Sequence, residues 1–260
     1  MMNFNKTLFV TSLMIGGIGM AQAQNKPKPE DTEVYTPVPK VVATQQVTIP
    51  APADAIVLFD GKDLSQWVMT EDRSKPAEWT VANGAFTVNK KTGNIETKQS
   101  FGNYQLHLEW QVPANISGKG QGRGNSGLFL ASIGKGDAGY ELQILDSYQN
   151  DTYTNGQAAS IYKQFVPLAN PTRKPGEWQS YDIIWTAPTF NEDQSVKTPA
   201  RVTVLFNGVL VQNNTELKGP TQYIGQASYK KAHGPSPIKL QSHGDPSEPL
   251  SFRNIWIREL

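Results

Sequence analysis

A short run, YELQILD at residues 140–146, sets two carboxylates and an amide, Glu141, Asp146 and Gln143, among apolar residues. The period-two alternation of a strand sends Tyr140, Leu142 and Ile144 to one face and Glu141 and Gln143 to the other. Asp146 falls at the strand end, where alternation fades and a turn cap is an equal reading. Acids at alternate positions of such a face, in the pattern E-x-D-x-E, could supply nucleophile and acid at a glycosidic bond. Here the corresponding positions are Glu141, Gln143 and Leu145, so that chemistry is rejected.

Two further stretches carry polar rows. In LHLEWQ, His107, Glu109 and Gln111 oppose Leu106, Leu108 and Trp110; in IKLQSH, Lys239, Gln241 and His243 oppose Ile238, Leu240 and Ser242. Any one such row is most simply the wet face of a sheet. Their content is Gln, Glu and His rather than Thr, Lys and Ser, and they hold two of the chain's three histidines. Amides and carboxylates offer directional donors and acceptors suited to hydroxyl-rich ligands. The rows converge only if their strands are neighbours. No G-x-S-x-G, P-loop or H-E-x-x-H motif is present.

The elements that must position these residues are strands. From Asp54 onward, β-branched and aromatic runs such as AIVLFDG, WTVANGAFTV, SGLFLAS, SYDIIWTA and RVTVLFNGVLV alternate with turn residues. Asn-Gly at 83–84 and 207–208, each between apolar runs, signals two hairpins. No long helical period is found; short helical turns are expected after Asp60 and Gly219. The pattern predicts an all-β, two-sheet antiparallel sandwich, with one concave face. Of the six tryptophans, Trp110 shares its face with Leu106 and Leu108, and most of the others read as core; Trp178, in a loop, is the candidate sugar platform.

Residues 1–23 have a Lys, an apolar run and an AQA site, the pattern of a secretory signal cut after Ala23. Residues 24–53 are polar and proline-rich and read as an extended linker, with a short strand near Gln46–Ile49. The domain proper spans 54–260. There is no Cys, so neither a disulfide nor a cysteine lipid anchor is expected. A net charge of +1 favours neither nucleic acid nor an anionic membrane. The expectation is a soluble, exported protein, periplasmic or secreted, with no membrane association after signal cleavage.

Taken together and in order, LFDGKDLSQW (58–67), NSGLFL (125–130), YELQILD (140–146), IYK (161–163), GEWQSYDI (176–183), FNGVLV (206–211), IKLQSHG (238–244) and FRNIWIREL (252–260) resemble the 3-keto-disaccharide hydrolase family. The resemblance covers residues 54–260. It departs at Gln66, where Gly is usual, at Gln179, where Asn is usual, and in long loops at 187–200 and 221–235. It implies a concanavalin-like jelly roll acting on 3-keto-glycosides, paired with an oxidoreductase that makes the ketone.

A ketone at C3 acidifies the C2 proton; a base removes it, the group at C1 leaves, and water adds to the enone. Such a site needs a base near neutral pKa, an enolate stabiliser and an acid for the leaving oxygen. Glu141 or His243 is the expected base, the other assisting the leaving group, with Glu109 and Asp146 as second candidates. Lys163, Arg123 or Arg253 is expected to stabilise the enolate, although a structural salt bridge is an equal reading of Arg253. Asn125, Gln143 and Gln241 are expected to bind hydroxyls. No cofactor is required; a divalent metal on His243 with Glu141, or on Glu109 with Asp146, is one option. A non-catalytic carbohydrate-binding module and an adhesion domain are the competing readings on such a fold.

Overall fold

The computed structural model describes residues 26–260, so the signal sequence expected at 1–23 lies outside the described residues. Two antiparallel sheets face each other, as an all-β jelly-roll sandwich requires. The larger has eight strands: β2 (Ile56–Phe59), β4 (Thr80–Ala82), β5 (Ala85–Thr87), β7 (Tyr104–Gln111), β11 (Gln179–Thr186), β14 (Arg201–Phe206), β15 (Val209–Glu216) and β17 (Ser251–Glu259). They run in the order β15-β14-β11-β7-β17-β5-β4, with β2 also on β17. The smaller has five: β3 (Trp67–Met69), β6 (Ile95–Thr97), β8 (Ser126–Ser132), β9 (Gly139–Ile144) and β16 (Lys239–Leu240), in the order β3-β6-β16-β8-β9. Outside them, β1 (Lys40–Val41) pairs in parallel with β10 (Ala169–Asn170), and β12 (Thr189–Phe190) with β13 (Val196–Thr198) forms a side hairpin.

The alternation read from the sequence places the core. Leu106, Leu108 and Trp110 of β7 and Tyr140, Leu142 and Ile144 of β9 meet in the apolar layer between the sheets. Both Asn-Gly pairs make two-residue hairpin turns: Asn83 and Gly84 between β4 and β5, and Asn207 and Gly208 between β14 and β15, all with positive φ. Trp67, Trp79, Trp110, Trp185 and Trp256 are buried. Two tyrosines cross the core with their hydroxyls: Tyr104 of the larger sheet donates to the Leu130 carbonyl (2.6 Å) and Tyr181 to the Gln143 carbonyl (2.7 Å) of the smaller. These bonds satisfy the buried hydroxyls and fix how one sheet lies over the other.

Three local expectations are corrected. Gln46–Ile49 is not a strand, and the turns after Asp60 and Gly219 are not helical; the single-turn 3₁₀ helices are Pro29–Thr32, Gly120–Gly122 and Thr154–Gly156. The third concerns β17, where simple alternation left Arg253 on a mixed face. A one-residue bulge at Asn254 (φ +47°) resolves it: Arg253 opposes Glu109, and Trp256 opposes His107. Phe252, Ile255 and Ile257 therefore point into the core, and Arg253 and Trp256 point out.

Trp110 is wholly buried, stacks on Phe206 at 5.9 Å and leaves its indole N–H without a partner among the described residues. Trp110→Ala is expected to cost about 3–5 kcal/mol in urea unfolding, and Trp110→Phe, which removes the unpaired N–H and keeps a ring, less than half of that loss.

Candidate active site

The outer face of the smaller sheet is polar yet buried, because loops cover it. Strand register defines two rows across it. Glu96, Lys239, Phe129 and Glu141 stand side by side on β6, β16, β8 and β9. In the next row Gly127 lies between Gln143, its pairing partner on β9, and Gln241, whose backbone N–H donates to the Gly127 carbonyl (2.9 Å). Two of the three polar rows are thus brought together. Gly127 is why there is room between them: a β-carbon there would sit 2.6 Å from Glu141 Oε1 and 3.1 Å from Phe129.

The space so left is a cavity of about 160 Å³. Asn125, Glu141, Gln143, Gln241 and His243 line it, joined by Asp137, Tyr162, Thr221 and Tyr223. Gln143 donates to Asn125 Oδ1 (3.0 Å). The amide oxygens of Gln143 and Gln241 are buried with no partner among the described residues. Buried acceptors left in that state are costly and want donors. Hydroxyl groups of a ligand would supply them.

Glu141 is buried, and burial, reinforced by the nearby Asp137 charge and opposed by Lys239, pushes its carboxyl up to about 8. Its own backbone N–H donates to Thr221 Oγ1 (3.0 Å). That leaves the Thr221 hydroxyl proton to be directed elsewhere. His243 stands at the mouth, its side chain 36% exposed, with Nδ1 3.2 Å from Asp245 Oδ2. Burial alone would raise the Asp245 carboxyl; hydrogen bonds from His243, Ser247 and Lys90 instead hold it down at about 2. A permanently charged carboxylate therefore backs the imidazole. Tyr162 shares a hydroxyl contact with Tyr153 (2.6 Å), and burial raises it to about 12, so it stays a neutral donor.

The other expected site residues lie elsewhere. Glu109 and Arg253 belong to the outer face of the larger sheet, where Arg253 Nε donates to Glu109 Oε2 (2.7 Å) and the guanidinium covers the Trp178 ring at 4.1 Å. Trp178 is thereby occupied as a platform by a protein cation. The same cluster takes in His107, which meets Asp182 at 2.7 Å, and Asn254, which donates to Glu109 (2.9 Å). Asp146 ends β9 as a turn cap, accepting from Tyr148 N (3.1 Å), and sits 2.8 Å from Arg123 Nε as an ion pair without hydrogen-bond alignment. Neither Asp146 nor Arg123 lines the cavity. Lys163 lies behind the wall, donating to the carbonyls of Pro29 (2.6 Å) and Tyr223 (3.2 Å). None of the three cations expected at an enolate therefore reaches the cavity. Glu109 and Asp146 lie on different sheets and cannot share a metal. Among the described residues, no three His, Cys, Asp or Glu side chains are grouped to hold one.

The profile of the 3-keto-alpha-glucoside-1,2-lyase-like domain matches residues 54–258. The chain belongs to this family. A Parabacteroides distasonis protein named as a candidate glycosyl hydrolase is 57% identical over 89% of this chain and 96% of its own, with a TM-score of 0.77. Two more candidate glycosyl hydrolases of the same organism share the fold at 19% and 22% identity. Each covers 79% of this chain and, respectively, 94% and 99% of its own, with TM-scores of 0.58 and 0.55. Comparison with curated proteins returns no match. The family and its relatives make this a carbohydrate-active protein.

Within the family domain, sequence reasoning missed Asp245, Asp137, Gly127, Tyr162, Thr221 and Tyr223. A glycine inside a strand is a signal of close approach, and Asp245 follows His243 by two residues. Thr221 and Tyr223 belong to the 221–235 loop, whose length alone had stood out.

Gly127 lies outside the left-handed region, so alanine fits its backbone, and only the methyl intrudes on Glu141. Gly127→Ala is expected to lower activity about 100-fold by displacing the carboxylate, at a folding cost of about 1–3 kcal/mol; turnover and denaturant midpoint of one sample separate the two effects. The raised Glu141 pKa also has a sign. Between the ordinary 4.5 and about 8 the folded chain keeps a proton that the unfolded chain has released, so this contribution to stability is lost as pH rises through that window. The stability difference between wild type and Glu141→Gln is expected to change across pH 4.5–8 and to level off outside it.

Proposed function

We propose that the protein cleaves the glycosidic bond of 3-keto-glycosides by elimination followed by hydration. Glu141 removes the C2 proton, the C1–O bond breaks, and the electron pair passes through the enolate to form the enone. His243, backed by Asp245, gives a proton to the departing oxygen. Water then returns OH to C1 and H to C2, which balances as net hydrolysis. The Thr221 and Tyr162 hydroxyls are the donors available to the developing enolate, in place of a cation. Gln143 and Gln241 accept from sugar hydroxyls, and Asn125 orients Gln143.

The observation that carries this reading is the single buried carboxyl of Glu141, with a pKa of about 8, in a cavity walled by unpaired amide oxygens. Elimination next to a ketone asks for one base of that strength. Hydrolysis through an oxocarbenium ion asks instead for a charged carboxylate opposed to an acid. Asp137, the second acid on the cavity, is exposed at the rim and held by Asn94 at 2.9 Å, where it raises Glu141. The substrate presupposes an oxidoreductase acting at C3, and the signal-like sequence pattern of residues 1–23 supports export as the setting.

The test is turnover of 3-keto-trehalose or 3-keto-lactose beside the parent sugar, followed by released sugar and by enone absorbance. Cleavage of the keto-sugar alone is expected, with kcat/KM rising with pH and levelling off near 8, the direction a base of that pKa imposes. Glu141→Gln is expected to lower kcat about 10²–10⁴-fold while calorimetry still detects sugar binding. Equal cleavage of the parent sugar, or full turnover by Glu141→Gln, would overturn the proposal.

A further inference from the structure

The proline-rich segment before residue 54 is laid against the domain. The Val34 carbonyl accepts from Thr154 N (2.6 Å), the Val34 N–H donates to Asn155 Oδ1 (3.0 Å), and Asn155 Nδ2 donates to the Thr32 carbonyl (2.9 Å). These bonds set the 3₁₀ turn Pro29–Thr32 over Lys163. The Lys163 ammonium is fully covered: it donates to the Pro29 carbonyl at 2.6 Å and lies 3.9 Å from Glu33. Its third attachment is to the cavity wall. It donates to the Tyr223 carbonyl (3.2 Å) and sits 4.8 Å from the centre of the Tyr223 ring.

Tyr223 is held on that side, yet the residue keeps 62% of its surface in solvent and lines the mouth of the cavity. An exposed aromatic ring anchored on one side by a buried cation presents its other face to whatever extends out of the cavity. The cavity, at about 160 Å³, takes one small polar ring, so the second ring of a disaccharide must emerge. The apolar C–H face of a sugar ring is the surface such a platform recognises.

We propose that Tyr223 is the platform for the leaving-group ring and so determines preference for disaccharides over glycosides with a small leaving group. Lys163 and the segment 29–34 act as its positioning elements. This rests on the keto-glycoside reading above and adds the part of the substrate outside the reacting ring. It also gives the residues before 54 a role at the site, although they lie outside the family match.

The experiment compares kcat and KM of the full chain on a 3-keto-disaccharide and on methyl 3-keto-glucoside for wild type, Tyr223→Ala, Tyr223→Phe and Lys163→Met. Tyr223→Ala is expected to reduce the disaccharide-to-methyl ratio of kcat/KM about tenfold, with the loss in KM. Tyr223→Phe restores the ratio. Lys163→Met lowers it in the same direction by a smaller factor. Equal losses on both substrates, or an unchanged ratio in Tyr223→Ala, would overturn the platform. If wild type turns over neither compound, the keto-glycoside reading fails separately. The same ratio is then read as calorimetric affinity, where an advantage of the disaccharide that survives Tyr223→Ala, or no binding at all, would overturn the platform as well.

Discussion

The ammonium of Lys239 is the contact on which the site depends. It is wholly buried on β16, the middle strand of the smaller sheet, and donates to the carbonyls of Gly134 (2.8 Å), Gly136 (2.8 Å) and Ala138 (3.0 Å). Burying an ammonium costs several kcal/mol unless its donors are met, and the loop between β8 and β9 meets all three. In return the loop is folded back over the sheet, which sets Asp137 on the cavity rim. Lys239 also shares a register row with Glu141, with Phe129 between them. Burial pushes the lysine down to about 8 and the glutamic acid up to about 8, and each charge moderates the shift of the other. The base strength of Glu141 is set first by its own burial, and the charges of Asp137 and Lys239 adjust it.

Both sheets carry a buried polar cluster on their outer face, and the two differ in how far their polar groups satisfy one another. On the larger sheet His107, Asp182, Glu109, Arg253 and Asn254 satisfy one another, and Asn254 and Trp256 both donate to the Ile49 carbonyl. Burial alone would lower His107 and raise Glu109, yet their hydrogen bonds win in both, raising the imidazole and holding the carboxyl down at about 2. That is a closed network, which rigidifies a sheet and leaves nothing for a ligand. On the smaller sheet Gln143 and Gln241 keep bare oxygens and Glu141 is driven toward its neutral form. Incomplete satisfaction costs about 1–3 kcal/mol per group, and a fold retains such a cost where a substrate recovers it.

The sandwich, its hairpins and the facing of each polar row were legible in the sequence because alternation and Asn-Gly turns are local signals. The convergence of the rows was not. Gly127 and Gln143 pair across neighbouring strands, but Gln241 joins them only through the order of β16, β8 and β9, from about a hundred positions away. The same non-local pairing sent the His107–Glu109 row to the opposite sheet, where composition alone made it look equivalent. At Arg253 a single bulge residue, Asn254, breaks the period on which face assignment relies. Asp146 and Arg123 were drawn to the site by charge, but an acid at a strand end is as readily held by its own turn. Trp178 looked like a platform because it lies in a loop; the ring that lies open beside the cavity is Tyr223, in a loop whose sequence has no strand period to read.

A carboxylate in an open groove is solvated, and water stabilises its charged form. Here the useful face is roofed by loops, and the chemistry follows from that roof. An exposed glutamate would be a weak base, fully ionised and well solvated. Under the loops, burial holds Glu141 toward its neutral form, and the ionised form is the stronger base for having lost its water. The His243 imidazole at the mouth stays about a third in solvent, beside an aspartate that hydrogen bonds keep charged against the effect of its burial. The two ionisable groups thus sit in opposite settings, a buried carboxyl driven toward its neutral form inside the cavity and a partly exposed imidazole at its mouth. The segment at 29–34 closes the construction from behind, because the loop that carries Tyr162 and the loop that carries Tyr223 are joined through Lys163, whose charge needs the Pro29 carbonyl.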